Sequence, residues 1–180
     1  MTRNHDKKLK YDIPGLAEDT KRFVEDIQEE TDRGVALSGT AFLDDVIIAL
    51  LRAAFVDNPM SVEKVLEYPG PINSLAARAD LAYCLGLLGN NMYADLKIIR
   101  KIRNEFAHSH VPISFDKPYI KEMCDILKTP QLIPPHVTNH PRYLFIIAVI
   151  LLANQIIMRG LSLKHAEVGK DFILGKHVKV

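Results

Sequence analysis

Apolar residues recur along this chain at intervals of three and four, and alternation of period two is nowhere sustained. That pattern predicts helices throughout. From Leu16, the positions Phe23, Val24 and Ile27 stand among many carboxylates and predict a mostly exposed helix ending near Asp32-Arg33-Gly34. Ser38-Gly39-Thr40 then opens a strongly apolar helix, Ala41 to Val56, stopped by Asp57-Asn58-Pro59. Its apolar residues run around most of the circumference, which predicts a central position. A short helix from Ser61 to about Glu67 precedes the breaker Pro69-Gly70-Pro71, and Asn73 or Ser74 can cap the next helix, which runs to about Leu88.

Gly89-Asn90-Asn91 reads as a tight connection into a helix from Met92 to Ser109 that Pro112 brings to an end. Asp116 can cap a helix from Lys117 to about Lys128, with Pro118 in its first turn. Thr129 to Pro141 holds four prolines and reads as a loop, and Arg142 to Met158 forms the last long helix, stopped by Arg159-Gly160. The fold class expected is therefore all-α: a single-domain helical bundle of about six to seven helices. Residues 1–15 are expected to be a flexible tail, 16–160 the helical domain and 161–180 a C-terminal tail of weak periodicity. The expected core includes Phe42, Ile47, Leu50, Leu51, Leu81, Leu85, Ile99, Ile102, Phe106, Phe145, Ile146 and Val149.

Composition narrows the classes. The 180 residues are 48% hydrophobic and 25% charged, a globular balance. Lys and Arg total 23 against 22 Asp and Glu, a net charge of +1. A dedicated duplex binder carries a basic excess, because phosphate neutralisation dominates its affinity. Cys84 and Cys124 lie in apolar helical patterns without metal-ligand spacing and read as reduced core thiols of a cytoplasmic protein. The charged N-terminus lacks the apolar run of a signal peptide. The longest apolar run, Leu144 to Ala153, is interrupted by Asn154 and Gln155 well short of the roughly 20 residues a membrane span needs. No membrane association is expected.

Leu96 to His108 carries the candidate chemistry. Leu96, Ile99, Ile102 and Phe106 form an apolar stripe, while Arg100, Asn104 and His108 form an i, i+4, i+8 stripe on the polar side. Arginine is a permanent cation with several donors, and histidine exchanges a proton near neutral pH; together they suit an anionic phosphate. Arg103 and His108 diverge by about 140° on an ideal helix. They meet only if the helix end unwinds or a second subunit brings its own copy alongside, which predicts a homodimer. Against this stands a plain structural role, since basic residues at a helix C-terminus complement its dipole. Arg100 could pair with Glu105 or Asp95.

Other groups are weaker. His136 and His140 lack a helical face for zinc, no Cys/His cluster accompanies them, and neither a metal nor a cofactor is expected. Asp44-Asp45 reads as a dipole-stabilising pair in a first helical turn, with a carboxylate facing the arginines as its functional alternative. Arg78 and Asp80 read as packing or surface-pairing residues.

The stretch Gly70-Pro71-Ile72-Asn73-Ser74-Leu75-Ala76-Ala77-Arg78, followed by Tyr93, Asp95-Leu96 and Ile99 to His108, resembles the mannitol operon repressor family of bacterial proteins. The similarity covers roughly Thr40 to Lys128. It implies an all-helical protein in transcriptional regulation of sugar-alcohol uptake. The Arg103-Asn104 and His108 spacing also resembles the signature of the HEPN superfamily, many of whose members are dimeric, metal-independent ribonucleases. Carried onto Arg103, Asn104 and His108, that resemblance implies a composite RNA-cleaving site at a dimer interface. In such a site Arg103, with Arg100 beside it, would stabilise the phosphate charge, Asn104 would orient, and His108 would act as general base or acid.

The sequence thus predicts a cytoplasmic regulator that contacts a protein partner of a regulatory system. Binding residues would be Arg100, Arg103, Asn104 and His108. Sequence-specific DNA binding is not expected, because the most basic helix is tied to the core by its apolar stripe. The alternative is a ribonuclease acting on single-stranded RNA.

Overall fold

A computed structural model of the protein describes residues 16–132 and 140–169. Seven α-helices and one 3-10 turn account for their regular structure, and no strand occurs among the described residues. The helices are α1 (Glu18–Ile27), α2 (Asp32–Ala54), α3 (Pro59–Leu66), α4 (Leu75–Cys84), α5 (Asn90–His108), α6 (Pro118–Asp125) and α7 (Pro141–Leu161). The 3-10 turn, Thr129–Leu132, lies between α6 and α7. The all-α architecture is as the periodicity predicts. Residues 1–15, most of the proline-rich loop with His136, and the end of the C-terminal tail lie outside the described residues.

The long helices α2 and α7 pack against each other at the centre. Both are long and apolar enough in composition to cross a membrane. Here they bury those apolar faces in the core, where Leu43, Ile47, Leu50 and Leu51 meet Phe145, Ile146, Val149 and Leu152. Gly39 lies on the α2 face toward α7, where an added Cβ would come within 3.2 Å of Phe145 and 3.3 Å of Val149. A side chain there would press on these neighbours by a few tenths of an ångström, so the bare Cα favours close approach of the two helices. Phe106, Phe115 and Phe145 then tie α5 and its following loop to α7, with ring centroids 4.8 and 5.2 Å apart.

Several helix boundaries depart from the pattern, beginning with α1, which ends at Ile27 and not near Asp32-Arg33-Gly34. The residues Ser38-Gly39-Thr40 do not open α2; the helix starts at Asp32, and Thr31 Oγ1 accepts the Gly34 N–H at 3.0 Å as its cap. Thr40 instead turns its hydroxyl back to Ala36 O at 2.8 Å, which satisfies it inside the helix. The long-range reason for the early start is Arg142. It reaches from α7 to Asp32 at 2.6 Å and to Glu30 O at 2.6 Å, holding the α1–α2 turn in place.

Helix α4 ends at Cys84, short of Leu88. Gly86 has φ +71°, Gly86 N–H donates to Tyr83 O and Leu87 N–H to Ala82 O, the paired bonds of a Schellman motif. This early stop turns Leu85 outward, 49% exposed, and leaves Cys84 exposed, so neither belongs to the core. Phe42 and Leu81 are partly buried and pack against the core, while the remaining expected core residues are buried.

Helix α6 starts at Pro118 and stops at Asp125, with Lys117, not Asp116, at its N-cap and no side-chain cap bond. The start of the C-terminal segment packs back: Ala166 N–H donates to Ala54 O and Phe55 O, and Leu163 is partly buried.

Candidate interaction site on helix α5

Helix α5 faces the core with Leu96, Ile99, Ile102 and Phe106, all buried. That stripe fixes which side chains look outward. Arg100, Arg103 and Asn104 are partly buried, and Lys97, Lys101 and His108 are exposed. Among the described residues no side-chain hydrogen bond or ion pair involves Arg100, Lys101, Arg103, Asn104 or His108. Neither carboxylate expected to pair with Arg100 does so. Glu105 is exposed, and Asp95 is fully buried, accepting the backbone N–H groups of Lys128 and Thr129 and the Thr129 hydroxyl.

The stripe residues do not converge. Arg100 lines a hollow of about 220 Å³ between α4 and α5, with Leu75, Ala79, Asp80 and Tyr93. Arg103 lines another, of about 420 Å³, with Thr40, Ala41 and Asp44 of α2 and with Asn73, Ser74 and Leu75 at the start of α4. Neither lining includes Asn104 or His108. At the end of α5 the carbonyl of Ser109 is served by Arg33 Nη2 at 2.7 Å, so His108 is not needed to cap it. Within one protomer the residues are spread along the helix, as the 140° divergence requires.

Beside α5, Arg78 and Asp44 form an ion pair between α4 and α2. Arg78, 7% exposed, spends its guanidinium on three partners: Nη1 on Asp44 Oδ2 at 2.6 Å, Nη2 on Leu66 O at 2.7 Å and Nε on Ile72 O at 3.1 Å. It therefore locks the α3–α4 connection to α2, the packing role expected of it. Asp44 is not a first-turn residue stabilising a dipole, because α2 begins at Asp32 and places it about three turns in. Its carboxylate binds Arg78 and also borders the Arg103 hollow, while its second oxygen, Oδ1, is buried with no hydrogen-bond donor. The signal in the sequence was the Asp44-Asp45 pair on a strongly apolar helix.

The α4–α5 turn adds an aromatic surface. Tyr83 and Tyr93 stack at 4.3 Å with planes 6° apart, their hydroxyls held by Asn90 Oδ1 and Asp80 Oδ1. Lys97 Nζ lies 3.9 Å from the Tyr93 ring centroid, a cation–π contact. No group of three metal-ligating side chains occurs among the described residues. Burial, reinforced by the neighbouring Asp125 charge, pushes the Cys124 thiol up to about 12, so it is an inert core thiol.

The fold and this helix face define an all-α protein with an open basic and aromatic surface. The chain belongs to the mannitol repressor family, whose model matches residues 20–166. Among solved structures it resembles the MtlR–HPr complex from Escherichia coli, with a TM-score of 0.67 and 19% sequence identity over 77% of this chain and 98% of that one. At that identity the likeness is one of fold. No curated protein matches the chain.

Proposed function

We propose that this chain is a cytoplasmic regulator of the mannitol-repressor kind that works by binding another protein, not by reading DNA. The observation that carries the reading is family membership over residues 20–166, joined to the fold of a family member solved in complex with HPr. A partner of the HPr kind is therefore the first to try. The surface that suits contact is the outward face of α4 and α5. There Arg100 and Arg103 have no partner among the described residues, Tyr83 and Leu85 are exposed at the turn, and the aromatic, apolar and arginine mixture is that of interface anchors. Asn104 and His108 extend the same face toward the end of the helix.

A homodimer belongs to the same proposal, since only a second copy can bring His108 of one α5 toward Arg103 of another. The test is calorimetric titration of the purified chain with HPr from the same cell, with light scattering of each alone. Binding at micromolar concentration, lost in an Arg100→Ala/Arg103→Ala variant, is the expected result. No association at tens of micromolar, or tight binding to one operator sequence by the chain alone, would overturn it.

A further inference from the structure

The hollow that Arg103 borders is set among α2, α4 and α5, and its chemistry is unbalanced. Arg103 is partly buried, yet its guanidinium donates to nothing among the described residues. A guanidinium has five N–H donors, and those without protein acceptors are open to an anion in the adjoining space. Across the hollow, Asp44 has one oxygen on Arg78 and the other buried without a donor. Both residues line the same space, but no ion pair joins them.

The charges set the ligand. Arg78 compensates Asp44, which leaves the positive charge of Arg103 unmatched. An anionic group fits there, and a fork of N–H donors grips a carboxylate or phosphate in two-point fashion. Asp44, by contrast, can only accept, so the ligand must also bring a donor to that side. A hydroxyl supplies one to the accessible part of the Asp44 side chain, which is 28% exposed although Oδ1 itself is buried. Asn73 and Ser74 add polar rim atoms, while Ala41 and Leu75 give a carbon skeleton an apolar wall. The volume of about 420 Å³ lies in the range of small-molecule sites.

We propose that this hollow binds a small hydroxylated anion, a hydroxycarboxylate or a polyol phosphate, with its charge on Arg103 and a hydroxyl on Asp44. The inference stands on the hollow alone and does not require the protein-partner reading. The neighbouring Arg100 hollow is no rival: it is about half as large, and its carboxylate, Asp80, already accepts from the Tyr93 hydroxyl at 2.6 Å.

Titration followed by ¹H–¹⁵N NMR tests it, with gluconate and sorbitol 6-phosphate as probes and sorbitol and inorganic phosphate as their halves. Saturable shifts should appear at Arg103 Nε–H and at the amides of Asp44, Ser74 and Leu75. Each bound probe should exceed either half by about tenfold in affinity, and Arg103→Gln should weaken it by about tenfold or more, while Arg22→Ala on α1 leaves it unchanged. Asp44→Asn, which retains one acceptor oxygen, should weaken the hydroxylated probes and spare inorganic phosphate. Binding of only one probe supports the site and assigns its anion. The proposal is overturned if neither probe gives saturable shifts by about 10 mM, if Arg103→Gln binds as the parent does, or if sorbitol binds equally well. It is also overturned if Arg103 Nε–H proves bonded to Asp44 in the free protein and stays so throughout the titration.

Discussion

Arg78 and Arg103 sit on neighbouring helices and border the same carboxylate, Asp44, yet they are opposite kinds of arginine. Arg78 is buried and bonded at each of its three nitrogens, two of them to carbonyls that the α3–α4 connection would otherwise leave without donors. Arg103 is partly buried and bonded to nothing among the described residues. The difference teaches that charge type says little about role; saturation of the donors does. A saturated arginine holds the fold together, whereas an unsaturated one beside a hollow is free to hold something else.

The largest effect should come from breaking the saturated side. Arg78→Ala leaves Asp44 without its partner in a site that is mostly shielded, and strips donors from Leu66 O and Ile72 O. We expect a loss of about 3–5 kcal/mol in urea unfolding, and a loss below about 1 kcal/mol would show that water replaces the guanidinium. Next is Asp95→Ala, which removes the acceptor for Lys128 N–H, Thr129 N–H and the Thr129 hydroxyl. It should cost about 3 kcal/mol and loosen the 3-10 turn, seen as faster amide exchange at Thr129.

The unsaturated side should behave in the opposite way. Arg103→Ala, Arg100→Ala and His108→Ala should each change stability by no more than about 0.5 kcal/mol, with Arg103→Ala weakening partner capture. The same proteins incubated with mixed RNA and a chelator separate regulation from ribonuclease chemistry. Cleavage by the parent that His108→Ala abolishes would replace the regulatory reading with a nuclease.

The smallest effect concerns the two thiols. At pH 8, Cys84 should react with a disulfide reagent within minutes, while Cys124 should react only on unfolding, because burial holds it protonated. The raised value also has a stability consequence. The folded thiol keeps its proton up to about 12 whereas the unfolded one releases it near the ordinary thiol value of 9.0, so stability is intact below that value and falls as pH rises between the two. Equal reactivity of both thiols in the native protein would contradict this placement.

The sequence by itself determined the helices, their order and most of the core, because an amphipathic stripe is a local property that repeats every turn. The buried face of α5 and the outward placement of Arg100, Asn104 and His108 follow from Leu96, Ile99, Ile102 and Phe106 alone. Helix ends were less legible. Thr31 rather than Ser38 caps α2 because Arg142, more than 100 positions away, anchors that turn. Leu85 left the core because a Schellman turn at Gly86 ended α4 early.

Which polar groups find partners is settled by the way the helices cross. Asp44 and Arg78 are 34 positions apart, and Asp95 reaches Thr129 over the same separation. No periodicity encodes such pairs, because they depend on how helices cross. Only once those pairs are made does it emerge that Arg103 has none.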